Sequence, residues 1–294
     1  MSDTLQATPK TGKWKTFQER LLSTIILISL LVGALWWNNV WGYRILVCSF
    51  CVLTAFEWGH MLRVSGKASQ PRTVTLVGAI YPIALMLSML GFKGGALLLV
   101  FFSPILMLIL LFAIEMRRVI VGSRALRSVA TSFLAFIYPG WMFGMVMLAF
   151  CYKTESISAV LWVIAVTKLS DIFAYVSGVL LGGKIWKGNK MIPHISPKKT
   201  WEGFIGSLIL TSIAGVWLST VCLTSEFSWW IVLIVTIILF IVAVLGDLAG
   251  SLVKRSLAIK DSGTMIPGIG GFFDLIDSLA FTVPVALLIF FLMR

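Results

Sequence analysis

The chain has 294 residues, of which 59% are hydrophobic and only 12% charged, with a mean hydropathy of +0.99. That composition excludes a soluble one- or two-domain globule and points to an integral membrane protein. The net charge of +12 does not call for nucleic acid, because the cations fall in short segments between apolar runs, where they serve topology against an anionic leaflet.

Taken in chain order, residues 1–20 are polar and basic, with Trp14 and Phe17 among the lysines, and read as a cytoplasmic or interfacial lead-in. The first apolar run ends in Trp-Trp-Asn-Asn instead of a small-residue cleavage site, which argues against a cleaved signal peptide. Nine spans are predicted, at 21–37, 42–62, 74–91, 95–114, 129–150, 156–182, 204–222, 229–248 and 272–293. The fold class is therefore all-α, a polytopic helical bundle forming one transmembrane domain over 21–294. Within it, 21–150 supplies apolar N-terminal helices, and 156–294 carries most of the intramembrane charge. Cys48 and Cys51 form a Cys-x-x-Cys in the second span, but no second Cys/His pair completes a zinc site, so they read as buried small hydrophobes. Glu57 and His60, at the inner end of the same span, suit structural pairing better than cavity lining. His194 reads as a loop residue.

Charge predicts the orientation. With the N-terminus cytoplasmic, inside segments hold 19 Lys and Arg residues against 4 outside (Arg44, Lys93, Lys153 and Arg294), and Lys168 lies within a span. The alternation holds at every loop, so nine spans with the C-terminus outside follow from the positive-inside rule.

Seven of the 12 acidic residues fall between Asp171 and Asp277. Glu226 lies in an outside loop, and the other six, Asp171, Glu202, Asp247, Asp261, Asp274 and Asp277, share one side of the membrane on this topology. Asp247 closes one span and Asp274 opens the next, with Asp277 three residues on and on the same helix face. Asp171 lies within its span beside Lys168, where an isolated carboxylate costs at least about 2.5 kcal/mol on insertion scales. Structural pairing is the plain alternative: Asp171 with Lys168, and Asp274 or Asp277 with Lys254 or Arg255. Several acids converging beside Gly-rich turns favour a functional site, and two aspartates from adjacent span ends supply the oxygen ligands magnesium prefers. The loop from Gly182 to Gly203 adds Ser196-Pro197-Lys198-Lys199-Thr200 before Trp201-Glu202. Its lysines suit either topology or an anionic phosphate chain.

The segment SLVKRSLAIKDSGTMIPGIGGFFDLID resembles the signature of the phosphatidate cytidylyltransferases, the CDP-diacylglycerol synthases. Ser251, Lys254, Arg255, Lys260, Asp261, Gly263, Ile266, Pro267, Gly270, Gly271, Asp274 and Asp277 match it at the right spacing. Gly246-Asp247, the ISPKKTWEG loop and the D-x-x-A-Y of Asp171–Tyr175 also resemble the family, over roughly 165–280. Two positions depart: the family's His is Ile269 here and its Arg is Leu275. Both are read as marks of a variant subfamily, with a catalytically impaired member as the alternative.

The resemblance implies transfer of a cytidylyl group from CTP to phosphatidate, releasing pyrophosphate. It implies Mg2+ held by Asp247 and Asp274, with a second cation in the same site left open, and catalytic support from Asp277, Asp261 and Asp171. Ser196, Lys198, Lys199, Glu202, Lys254, Arg255 and Lys260 would bind the substrates, the lysines and Arg255 through their phosphates. The expected setting is a multi-pass membrane protein, in the inner membrane if bacterial, with its site facing the cytoplasm. A homodimer is a further candidate assembly. A CTP-dependent lipid-alcohol kinase is the nearest competing enzyme. A CDP-alcohol phosphotransferase lacks its motif here, and a cation-coupled transporter would place its acids at the midplane.

Overall fold

The computed structural model describes residues 40–90, 94–118, 122–149, 155–184, 190–223, 227–268 and 270–293, with Leu22, Ser23, Ile25, Ile26, Ser29, Leu30 and Gly33. In hydrocarbon every backbone amide must be satisfied within its own segment, so long apolar runs become helices. The helices are α1 (Val40–Val64), α2 (Pro71–Ser88), α3 (Gly95–Met116), α4 (Ser123–Ala135), α5 (Glu155–Leu181), α6 (Trp201–Cys222), α7 (Trp229–Ser256) and α8 (Phe272–Leu292). Beyond Ala135, α4 continues through a π-helical turn, Phe136–Trp141, and the short pieces Met142–Gly144 and Val146–Ala149. Eight helices among the described residues are long and apolar enough to cross a membrane, which makes the chain a multi-pass α-helical bundle. The predicted span at 21–37 lies mostly outside the described residues, as does the 1–20 segment; the seven residues described within the span are helical.

The bundle has two apolar centres that share α8. The larger joins α1–α4 to Phe273, Ile276 and Ala280 of α8, and the smaller joins Trp162 and Val166 of α5 to Leu239 of α7 and Ala286 of α8. Helices with few buried residues face lipid: α3 exposes Phe101, Phe102, Ile105 and Ile109. With lipid as solvent, helices are held by close approach of small residues. At the α5–α6 crossing Gly203 lies against Ala174 and Gly178, and Gly206 lies against Ser177. At the α7–α8 crossing Gly246 and Gly250 lie against Asp277 and Ser278.

Three features depart from the predicted elements. Helix α7 runs on to Ser256, so Asp247 lies inside it instead of closing it. The helix ends only where Ala258 turns left-handed at φ 59°, with Leu257, Ala258 and Ile259 amides donating back to Val253, Arg255 and Lys254 carbonyls. The region of the fifth predicted span contains the π turn, at Pro139, which has no amide hydrogen to give the α-helical ladder. The Gly182–Gly203 loop contains an antiparallel hairpin, β1 (Lys190–Ile192) with β2 (Ser196–Thr200), in which Lys190 faces Thr200 and Ile192 faces Ser196. Pro197 is tolerated because a two-stranded sheet consists only of edges.

Candidate active site

Three helices and the hairpin deliver alternating charges to one place. On α7, Asp247 and Lys254 lie two turns apart; on α8, Asp274 and Asp277 lie one turn apart; on α5, so do Lys168 and Asp171. Lys199 of β2 reaches Asp247 in a close ion pair. Lys254 sits 2.5 Å from Asp274 Oδ1 and 3.8 Å from Asp277 Oδ2, and Lys168 lies 3.8 Å from Asp171 Oδ2. Ser278 links the α5 pair to α8: its Oγ accepts from Lys168 Nζ at 3.3 Å and donates to Asp171 Oδ2 at 3.4 Å. The pairings of Asp171 with Lys168, and of Asp274 and Asp277 with Lys254, are therefore present, as parts of one cluster.

Asp274 is the most heavily bonded of these acids. Its Oδ2 accepts from the Ser262 amide at 3.0 Å, the Ser262 hydroxyl at 2.8 Å and the Gly271 amide at 3.1 Å, while Oδ1 takes Lys254. Gly270, at φ 123°, adopts a conformation other residues rarely reach, and a Cβ there would stand 2.7 Å from Asp274 Oδ2. Paired hydrogen bonds between Ile266 and Gly270, at 2.9 and 3.0 Å, close this turn. Ile269, within it, lies outside the described residues. Glu57 of α1, buried, joins the turn from across the bundle, accepting from the Phe273 amide at 2.8 Å with Ser262 Oγ at 3.2 Å.

Asp277 is buried at the α7–α8 crossing, where a Cβ on Gly250 would come 2.9 Å from both its Cβ and its Oδ2. Asp277, Asp247 and Asp171, each within 4 Å of a lysine of the cluster, make up its acidic centre. Tyr138, carried by the π turn, lies beneath them. Its hydroxyl is 2.7 Å from the Gly246 carbonyl and 3.3 Å from that of Asp277, so it ties the two acid-bearing helices together. The sequence offered no spacing signal for Tyr138; an aromatic next to a proline in mid-span was the available hint.

The remaining predicted residues divide by exposure. Glu202 is buried and accepts from the Gly183 amide at 3.0 Å, so it holds the two ends of the hairpin loop together, while Thr200 caps α6 by accepting from the Gly203 amide at 3.1 Å. Ser196 is half-buried at the start of β2. Lys198, Arg255, Lys260 and Asp261 are exposed and form no ion pair among the described residues. Lys198 and Arg255 each adjoin a lysine of the cluster, and Lys260 and Asp261 immediately precede Ser262.

A divalent cation needs carboxylate oxygens with open lone pairs. Asp247, Asp274, Asp277 and Asp171 bring carboxylates from three different helices, each within reach of a lysine of the cluster. Asp274, expected from its span-end position to share a cation with Asp247, is held by Lys254 at Oδ1 and by Ser262 and Gly271 at Oδ2, so a shared cation would take the place of Lys254 at Oδ1. Among the described residues no three acidic, His or Cys groups gather around one point as a ready-made metal cage. An apolar cleft of about 660 Å3 runs beside the signature turn, lined by Ile26, Leu30, Ile45, Phe50, Met265 and Phe272.

Fold and site together define an integral membrane helical bundle whose polar centre is built from interleaved lysines and aspartates. The family it belongs to follows from comparison: residues 18–293 match the model of the cytidylyltransferase family, and the chain is a member of it. It is 39% identical over 133 residues to the phosphatidate cytidylyltransferase of Staphylococcus saprophyticus, covering 45% of this chain and 48% of that one. It is 36% identical over 172 residues to that of Helicobacter pylori, covering 58% and 60%, and 35% identical over 148 residues to that of Mycobacterium leprae, covering 50% and 45%. The chain spans about half the length of the curated relatives it matches.

Proposed function

We propose that this protein transfers the cytidylyl group of CTP to phosphatidate, forming CDP-diacylglycerol and pyrophosphate. One observation carries the reading: four aspartates and three lysines interleave within one helical bundle, next to a turn that borders an apolar cleft. Two highly charged phosphate substrates, one of them a lipid, call for such a place. The relatives named above bear the same activity in their names.

In this reading the exposed cations Lys198, Arg255 and Lys260 meet the phosphates first, and the paired Lys199 and Lys254 exchange an aspartate for a phosphate oxygen as the substrates settle. The phosphate monoester of the lipid attacks the α-phosphorus of CTP and pyrophosphate leaves. That nucleophile is largely ionised near neutral pH, so no histidine is required to deprotonate it, and Ile269 is no obstacle. The cleft beside Phe272 suits an acyl chain. Mg2+ would be held by Asp247 and Asp274, with Asp277 and Asp171 beside them, and would neutralise charge on the triphosphate. Asp274 also orders Lys254 and the turn. Asp261 and Ser196 border the substrates, and Glu202 keeps the hairpin in place. The proposed setting has nine spans in one domain, with the N-terminus and the site cytoplasmic, the C-terminus outside, and the whole in the inner membrane of a bacterial cell; a dimer of such chains is compatible with it.

Purified protein given radiolabelled CTP, phosphatidate and magnesium should place label in lipid and release pyrophosphate. Release of CDP with unlabelled lipid would identify a kinase; no turnover under any magnesium concentration would make the chain an impaired member.

A further inference from the structure

We infer that Glu57 is a positioning residue, supplying from α1 the N-terminal cap that α8 lacks and so holding the Ser262–Asp274–Lys254 chain in register. The inference deepens the functional reading above and rests on it for its kinetic arm.

A helix leaves its first amides without intrahelical partners, and a side chain at the N-cap usually accepts from one of them. The N-cap of α8 is Gly271, which has no side chain. Asp274 turns back to take the Gly271 amide, and the amide of Phe273 donates to Glu57 Oε2 at 2.8 Å across 216 residues of sequence. The same oxygen lies 3.2 Å from Ser262 Oγ, which is also 2.8 Å from Asp274 Oδ2. Ser262 thus stands between two carboxylates, and Lys254 closes the chain on the other side of Asp274.

The second oxygen, Oε1, is buried with no hydrogen-bond partner among the described residues. It faces two glycines of the signature, Gly271 and Gly263, and a Cβ on either would collide with it. Neither glycine has a positive φ, so room, not backbone conformation, is what requires glycine at both. Glu57 fills the space they leave. A carboxylate is an expensive filler for a site only 2% exposed, and an apolar side chain of the same size would leave the Phe273 amide without this acceptor. The acid is explained by what it holds.

The test uses the full chain in lipid nanodiscs, with Glu57→Ala, Glu57→Gln, Gly263→Ala and the double variant Glu57→Ala/Gly263→Ala. Displacing groups that position substrate by about an ångström lowers turnover roughly 100-fold, and that is the loss in kcat expected for Glu57→Ala among folded molecules. Glu57→Gln should stay within about 5-fold of wild type, since its amide can accept from Phe273 and donate to Ser262. Hydrogen exchange across 262–274 should quicken in the Ala variant and hold in the Gln variant. Gly263→Ala should lower thermal stability in the wild-type background but scarcely in the Glu57→Ala background, because the three atoms nearest its Cβ all belong to Glu57. Equal kcat for the Ala, Gln and wild-type proteins would overturn the positioning role, and additive stability losses would overturn the contact itself. If Glu57→Ala does not fold, Glu57→Asp replaces it: a carboxylate withdrawn by one methylene should lower kcat about 10-fold, and a wild-type turnover rate would count against the inference. Inactive wild-type protein would instead count against the functional reading, while exchange and the stability coupling still judge Glu57.

Discussion

Two lysine–aspartate pairs in this molecule look alike on paper and are built differently. Lys254 and Asp274 have side chains 12% and 13% exposed, and Asp274 carries three further hydrogen bonds from its own turn. Lys199 and Asp247 are 26% and 30% exposed, join a hairpin to a helix, and Asp247 has only the lysine as a partner among the described residues. The first pair is a fixed joint, in which desolvated charges are tolerated because the lone pairs are put to use. The second is a contact that can open. A site that must accept and release charged substrates needs both: rigid cations whose position is set beforehand, and an acid–base contact that yields.

The largest effect should come from breaking the fixed joint. Lys254→Met leaves Asp274 and Asp277 without their cation, and removing one partner of a buried pair typically destabilises by about 3–5 kcal/mol. Thermal unfolding in detergent should show that loss together with lost turnover. Unchanged stability would mean that the turn holds Asp274 without help from the lysine, and the comparison would fail.

Asp247→Asn should behave in the opposite way, with stability nearly intact and turnover reduced at least about 100-fold, equivalent to about 2.7 kcal/mol of barrier. An amide offers a cation only a dipole where the carboxylate offers a full charge. Adding Asp277→Asn should make matters scarcely worse if both act as one unit. Near-normal turnover of Asp247→Asn across a magnesium titration would remove Asp247 from the acidic centre. Lys199→Ala should have a smaller effect, raising the KM for CTP about 10-fold with kcat within a few-fold, since a partly exposed cation contributes to ground-state binding. A loss confined to kcat would place Lys199 at the reacting phosphorus.

The difference between the pairs also marks what is legible in sequence. Apolar length alone predicts all eight helices described, and one-turn spacing predicts the pairing of Lys168 with Asp171. The Lys254 pairings are among the choices that spacing leaves open. What cannot be read is contact across long separations: Lys199 with Asp247, Glu57 with Phe273, Tyr138 with Gly246. Spacing reports neighbours on one helix, and says nothing about which helix lies opposite. The partners of Asp274 are of the same kind. Its place at a span end is as expected, but spacing does not reveal the turn that folds back over it, with Ser262 and Gly271 as donors to Oδ2. The extension of α7 past Asp247 is hidden because Lys254 and Arg255 look like a loop by charge, whereas the helix ends only at the left-handed Ala258.

The smallest expected effect tests the edge of the fixed joint. Leu275 stands where the family signature has arginine, one residue after Asp274, half-buried and packed against the larger apolar centre. Leu275→Arg exchanges that packing for a long side chain whose methylenes can cover the same surface while the guanidinium reaches the polar end of α8. The Lys254–Asp274 joint does not involve position 275, so kcat should stay within about 3-fold of wild type. The added fork can pair with a phosphate, and the KM for a phosphate-bearing substrate should fall by roughly 2–5-fold. Steady-state kinetics with CTP and phosphatidate varied in turn measures both. Turnover raised about 10-fold or more would mean that Leu275 leaves the wild-type joint unfinished. A comparable fall with lowered thermal stability would mean that the residue serves packing alone, and that this chain's substrate grip is already complete in Lys254, Arg255 and Lys260.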